Sequence, residues 1–167
     1  MRRRRGGNMV MESMLFLPII LLLLVGMVRI AEITYLYYTL KKTLYAAAMY
    51  LAAQQGANFC SPSGDPSTDP VLAAKNYATT GTTDASATPF LPALTPDMLD
   101  IQPECYDPSS QTVGTCDTTA CGTDGVIQPD FIVVTIPNGY SINTRFPYIL
   151  SQSIPLVPYV RVPFGGT

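Results

Sequence analysis

The sequence predicts an α+β protein: a long N-terminal transmembrane helix, then a small disulfide-containing domain with a short helix and a small antiparallel sheet. Three observations predict it. A charge-free apolar run lies beside four arginines at the N-terminal end. That run passes into a stretch with the three- and four-residue period of a helix face. The remainder breaks into short β-branched stretches separated by Pro, Gly and Asp, with four cysteines among them.

The formal net charge of −2 over 167 residues hides two unlike parts. Residues 1–56 carry seven basic and two acidic side chains, a net +5, whereas residues 57–167 carry three basic and ten acidic, a net −7. The chain has no His and no Trp. A general base at neutral pH would have to be a carboxylate, Tyr or Lys, and the commonest metal ligand is missing.

From Ser13 to Val28 the sequence SMLFLPIILLLLVGMV carries no charge, and back to Met9 only Glu12 interrupts it. A helix of about 20 such residues, rising about 1.5 Å per residue, matches a hydrocarbon core of about 30 Å. No polar stripe marks it as the buried helix of a water-soluble core. Arg2, Arg3, Arg4 and Arg5 precede the run and only Arg29 follows closely, so the N-terminus is expected in the cytoplasm and the bulk outside. The run has no small-x-small site at its end and continues into a helical pattern, unlike a cleaved secretory signal peptide. The arginines read as a topology signal with affinity for anionic lipid rather than as a nucleic-acid site. Glu12 is the exception in this run, because a carboxylate in a membrane helix costs a few kcal/mol unless it is paired or near headgroups. Either it is solvated at the interface or it pairs with a positive group on a neighbouring subunit.

Gly7 followed by Asn8-Met9-Val10-Met11-Glu12 resembles the processing site of type IV pilin-like proteins, in which a basic leader ends in Gly and Glu stands fifth in the processed chain. ESMLFLP, followed by IILLLLVGMVRIAEITYLYYTLKKTLYAAAMYLAAQQGA, is similar to TadE-like pseudopilins of the tight-adherence system. The resemblance covers Arg5 to about Ala57, a third of the chain, and Ser13 stands where that family carries Phe or Tyr. It implies a bacterial inner-membrane protein cut between Gly7 and Asn8. Glu12 would neutralise a neighbour's free amine at Asn8, and the outer domain would serve pilus or secretion assembly. Any force for assembly would come from a separate ATPase. A second role is an accessory structural subunit of a larger inner-membrane complex, respiratory or photosynthetic. It would keep its leader, pack laterally by its helix and clamp the periplasmic face. The expected organisation is a basic cytoplasmic leader (1–7), a transmembrane helix (8–29), an amphipathic extracytoplasmic continuation (30–56) and an extracytoplasmic α+β domain with a Pro-rich C-terminal arm (57–167).

Beyond Arg29, the residues Ile30, Ile33, Tyr37, Leu40, Leu44, Ala47 and Leu51 fall on one helix face, so the helix is expected from near Met9 to Gln55. Pro18 is expected to bend it, Arg29 and Glu32 to pair weakly, and Gly56 to cap it. Tyr35, Tyr37 and Tyr38, with Tyr45 and Tyr50 further on, read as an interfacial aromatic belt that also packs on the outer domain. A pigment- or quinone-contacting stripe has no independent support in the sequence.

Phe59–Pro70 is a turn-rich linker. Asp69 and Pro70 predict the cap and first residue of a helix over Val71–Thr80, ended by Gly81. Met98–Gln102 and Phe131–Ile136 are expected as strands. The turn Pro137-Asn138-Gly139 is expected to return the second of these as Tyr140–Phe146. Ile154–Val162, with its prolines, is expected as an edge strand or an extended arm.

Cys60, Cys105, Cys116 and Cys121 all fall in the outer segment, and an even count in an oxidising compartment predicts disulfides. Cys116–Cys121 is the nearest pair in sequence, leaving Cys60 with Cys105, although all three connectivities are open. No phosphate loop, nucleophile elbow or His-based arrangement is present, and Asp97 and Asp100 read as solvated loop carboxylates. The expectation is therefore a non-enzymatic binding or scaffold protein without catalytic residues, metal or cofactor. Its partners would be membrane lipid and other membrane subunits, with no nucleic acid and no small-molecule substrate.

Overall fold

The apolar run and the amphipathic stretch after it form one helix, α1 (Gly6–Ala52). The structure, a computed structural model, describes residues 6–55, 57, 59–60, 64–116, 127–144 and 152–165, without the side chains of 6–10, 143, 144 and 152. The fold is α+β and divides into two units, Met1–Leu36 and Tyr37–Thr167.

From Met11 to Val28 α1 presents its apolar side chains outward all round. Met14, Leu22 and Met27 are 71%, 72% and 68% exposed. Pro18 lies inside the helix without ending it, although its missing N–H leaves the Met14 carbonyl without its usual donor. Arg29 donates from Nη1 to Glu32 Oε2 at 2.8 Å, one turn on, as their spacing predicts.

In the second unit the same helix turns core-forming. Leu40, Leu44, Ala47, Ala48 and Leu51 are fully buried. The expected helix face therefore divides: Ile30 stays exposed, while its outer members become the centre of the folded unit. α1 stops at Ala52, three residues before the expected end, and Gly56 lies outside the described residues.

Helix α2 (Pro70–Thr80) forms as its cap sequence predicts. Asp69 Oδ1 accepts from the Val71 and Leu72 N–H groups at 2.9 and 3.2 Å, satisfying two donors that the first turn cannot pair internally. Gly81 ends it at φ 79°, in the left-handed region, where an added Cβ would lie 2.4 Å from the Phe90 ring. Tyr77 of α2 stacks on Tyr50 of α1 at 5.3 Å.

A four-stranded antiparallel sheet follows in the order β2-β1-β3-β6, built from β1 (Asp100–Asp107), β2 (Thr112–Thr115), β3 (Phe131–Thr135) and β6 (Tyr159–Pro163). A second sheet pairs β4 (Tyr140–Thr144) with β5 (Gln152–Leu156). The expected hairpin between β3 and β4 does not form. The turn itself closes, with Gly139 N–H donating to the Ile136 carbonyl at 2.9 Å, but β4 leaves for the second sheet. The reason lies in β3: Ile132, Val133 and Val134 are buried consecutively, which marks a central strand, and its flanks are taken by β1 and β6. The expected returning strand is β4 up to Thr144, its last two residues lying outside the described ones.

The Pro-rich C-terminal stretch is built into both sheets rather than left as an arm. In β6, Val160 and Val162 point in, whereas Tyr159, Arg161 and Pro163 point out, and β6 forms one edge of its sheet. Pro103 sits within β1 because the strand's neighbours are offset. β3 pairs along Asp100–Glu104 and β2 along Glu104–Asp107, so the missing Pro103 donor breaks no ladder shared by both.

The disulfide expectation is corrected. Cys105 bonds to Cys116, eleven residues on, so neither Cys116–Cys121 nor Cys60–Cys105 forms. The β1–β2 hairpin sets Cys105 opposite Gly114, which brings Cys116, just past β2, to its side. Closing such a short loop contributes about 3 kcal/mol in the chain-entropy account. Cys60 is also disulfide-bonded, and Cys121 lies outside the described residues.

Tyr140 opens β4 and is 8% exposed, and its hydroxyl donates to the Pro92 carbonyl at 2.7 Å. Burial pushes its phenol above the ordinary value of 10.0. A raised folded value means that the stabilisation by neutral Tyr140 is full below the unfolded value and is lost as pH climbs through the folded one. Tyr140→Phe is expected to cost about 1 kcal/mol at neutral pH and to remove part of the alkaline loss, which urea midpoints measured from pH 7 to 11 check.

Candidate functional site

Among the described residues one helix, within Met11–Ala52, is long and apolar enough to cross a membrane. Its first unit also holds the features that the sequence marks out. Glu12 heads a surface formed with Ser13, Phe16, Leu17, Ile20 and Leu21. Along one helix, residues four apart stack on the same side, so Glu12, Phe16 and Ile20 form one row and Ser13, Leu17 and Leu21 its neighbour. The carboxylate thus borders an exposed apolar strip suited to an equally apolar surface. Gly7 and Asn8 lie in the first turns of α1, and Arg2, Arg3, Arg4 and Arg5 lie outside the described residues.

Beyond Glu12, the described charges of this unit are Arg29 and Glu32, which engage each other at 2.8 Å. Thr34 Oγ1 returns a hydrogen bond to the Ile30 carbonyl at 2.8 Å, so this hydroxyl is matched within the helix. The aromatic group divides in exposure. Tyr35 and Tyr38 stand out at 72% and 67%, Tyr37 is half-buried, and the Tyr37 and Tyr38 rings meet edge to face at 6.2 Å.

In the second unit the polar clusters tie the fold together. Arg161 Nε of β6 donates to Glu104 Oε2 of β1 at 2.8 Å, and its guanidinium lies 4.0 Å above the Phe131 ring of β3. Three neighbouring strands are thereby pinned on their outer face. Asp130 acts similarly just before β3: its carboxylate accepts from Tyr106 N–H at 2.7 Å and its carbonyl from Phe164 N–H at 2.9 Å.

Asp65, Asp84 and Asp107 each face a serine two residues on and are held below the usual carboxylate value. For Asp65 and Asp84 the backbone N–H of Ser67 and Ser86 is the main cause, with the hydroxyl second, whereas for Asp107 the Ser109 hydroxyl leads. These are exposed turn motifs, and their depressed values favour folding above the unfolded carboxylate value and lose that effect as pH falls. Among the described residues no three Cys, Asp or Glu side chains gather as a metal site, and Asp97 and Asp100 stay in separate local settings, Asp100 accepting from Gln102 Nε2 at 2.7 Å.

Sequence reasoning missed the Arg161–Glu104–Phe131 cluster. Its members are far apart along the chain, and only the register of three strands brings them together. No family model, curated protein or solved structure matches the chain.

Proposed function

We propose that this chain is a non-enzymatic single-pass membrane protein, a TadE-like, type IV pilin-like subunit that takes part in pilus or secretion assembly. In this reading the first unit spans the bacterial inner membrane, with Arg2–Arg5 cytoplasmic and the Tyr37–Thr167 unit in the periplasm. One observation carries the proposal: an apolar helix surface exposed on all sides, headed by a lone carboxylate, Glu12. Water does not tolerate so much contiguous apolar surface, whereas lipid or neighbouring helices do.

Glu12 gives the surface a direction. In an apolar surrounding a carboxylate is stable when a positive group meets it, and cutting after Gly7 would create such a group as the amine of Asn8 on a neighbouring copy. The disulfide between Cys105 and Cys116 suits the oxidising side of the membrane.

Mass spectrometry of the native chain tests the reading. A chain that begins at Asn8 and is found in fibres or their assembly platform supports it. An intact Arg-rich leader on a chain held stoichiometrically in another inner-membrane complex overturns it in favour of an accessory structural subunit.

A further inference from the structure

Within the second unit the seam between α1 and the edge strand β6 is open along its length. At one end Tyr38, Lys41 and Lys42 of the helix and Tyr159 of the strand border a space of about 470 Å3. At the other, Met49 and Ala53 of the helix and Pro163 of the strand border about 590 Å3. Tyr45 and Arg161 line both spaces, which therefore form one groove. From Tyr38 to Ala53 the helix rises about 22 Å, and from Tyr159 to Gly165 an extended chain advances about 20 Å, so the two walls match in length.

The strand wall is an unpaired edge. β6 ends its sheet and has β3 on one side only. In an antiparallel pair, alternate residues turn their N–H and C=O toward the partner strand. Phe164 N–H donates to the Asp130 carbonyl at 2.9 Å, which assigns Phe164, Val162 and Val160 to the β3 side. Tyr159, Arg161 and Pro163 therefore turn their main-chain groups the other way, toward the groove. Gly165, next in that series, shows the direction: its N–H donates across the seam to the Ala52 carbonyl at 3.2 Å. Among the described residues no backbone carbonyl accepts from the N–H of Tyr159 or Arg161. The edge thus offers the N–H groups of Tyr159 and Arg161 and the carbonyls of all three residues, with a helix as the opposite wall. An extended segment adds to such an edge as a further strand, its main chain bonded to the edge and alternate side chains turned to the helix.

Charge selects the occupant. No acidic side chain lines the groove, Lys41 and Lys42 are exposed, and among the described residues no carboxylate pairs with either. Arg161 turns its guanidinium to Glu104 and Phe131 on the outer face, which leaves its main chain open at the edge. A second copy does not supply the complement. Its β6 edge would bring the same cations, and its other sheet edge, β2, is uncharged. We propose that this groove binds an extended acidic segment of a partner protein. The segment adds as a strand to β6, with carboxylates at Lys41 and Lys42 and small apolar side chains toward Met49 and Pro163. The proposal goes beyond the assembly reading above and rests on the geometry of the second unit alone.

Fluorescently labelled, terminally blocked peptides titrated onto the full chain in mild non-ionic detergent test it, with anisotropy as the readout. The probes are Thr-Val-Thr-Val-Ala with an Asp-Glu pair placed first or last, which covers both strand directions. At least one of them is expected to bind. The same peptide with Lys-Lys in place of Asp-Glu, or fully N-methylated, is expected not to. Lys41→Gln with Lys42→Gln is expected to weaken binding about fourfold, at roughly twofold per exposed ion pair. Both lysines are solvent-facing, so circular dichroism of the double variant should match the parent. Amide exchange at Tyr159 and Arg161 should slow in the saturated protein, whereas Val160 and Val162, already bonded to β3, stay protected throughout. Failure of both acidic peptides to bind at millimolar concentration overturns the proposal. So does equal binding of the lysine or N-methylated peptide, or exchange at Tyr159 and Arg161 that stays fast at saturation. A dimer that depends on Lys41 and Lys42 and forms without peptide also overturns it, in favour of a second copy as the occupant.

Discussion

Replacing Leu44 by Ala is expected to lower the stability of the Tyr37–Thr167 unit by about 2–5 kcal/mol, the range for truncating a fully buried leucine. Leu44 has no exposed surface, and Leu40, Ala47, Ala48 and Leu51 around it on the helix are equally enclosed. A cavity there cannot be filled by movement of solvent-facing neighbours. The same reasoning predicts a larger effect from truncation. A fragment of residues 37–167 should unfold cooperatively in urea, whereas a fragment of residues 57–167 should not, because it lacks the helix that fills the core. The chain has no Trp, so its ten tyrosines and the far-ultraviolet dichroism supply the readout. A cooperative transition in the shorter fragment would show that α1 is a mere spacer outside the membrane.

Glu12→Ala is expected to abolish incorporation into fibres or their assembly platform while leaving the chain in the membrane. The two effects have opposite signs for one physical reason. Removing a carboxylate from an apolar helix eases insertion, by up to about 3 kcal/mol near the bilayer centre and less near its edge. It also removes the one group on that face able to attract a positive partner. Membrane flotation and co-purification read the two effects separately. Normal assembly by Glu12→Ala would favour the accessory-subunit role, in which lateral packing needs no charge.

Much of this architecture was legible because local chemistry dictated it. The Asp69-Pro70 pair and Gly81 bracket α2 whatever surrounds them, since capping and left-handed φ are decided within a few residues. The apolar run announces a helix by length alone. Elsewhere the deciding information was not local. β2 is four residues long, lies on the exposed side at every position and contains Gly114, so no period marks it, and without β2 the Cys105–Cys116 bond has no visible reason. The Pro-Asn-Gly turn is correctly a turn, but whether the strand beyond it pairs with β3 depends on competition from β1 and β6. A groove lined by Lys41 and Lys42 of α1 and Arg161 of β6 needs those two elements together, and they are far apart along the chain. The candidate residue Glu12 was legible from its isolation in an apolar run, whereas the Arg161–Glu104–Phe131 cluster followed only from strand register.

The placement of the apolar helix in the bilayer underlies every role considered for this chain. Protease added to intact spheroplasts, followed by a carbonate wash, measures it most directly. The expected result is digestion of the region from about Tyr37 to the C-terminus, leaving a short N-terminal fragment that stays in the membrane pellet. A full-length chain that is protected until the membrane is broken, or one released by carbonate, would contradict the account.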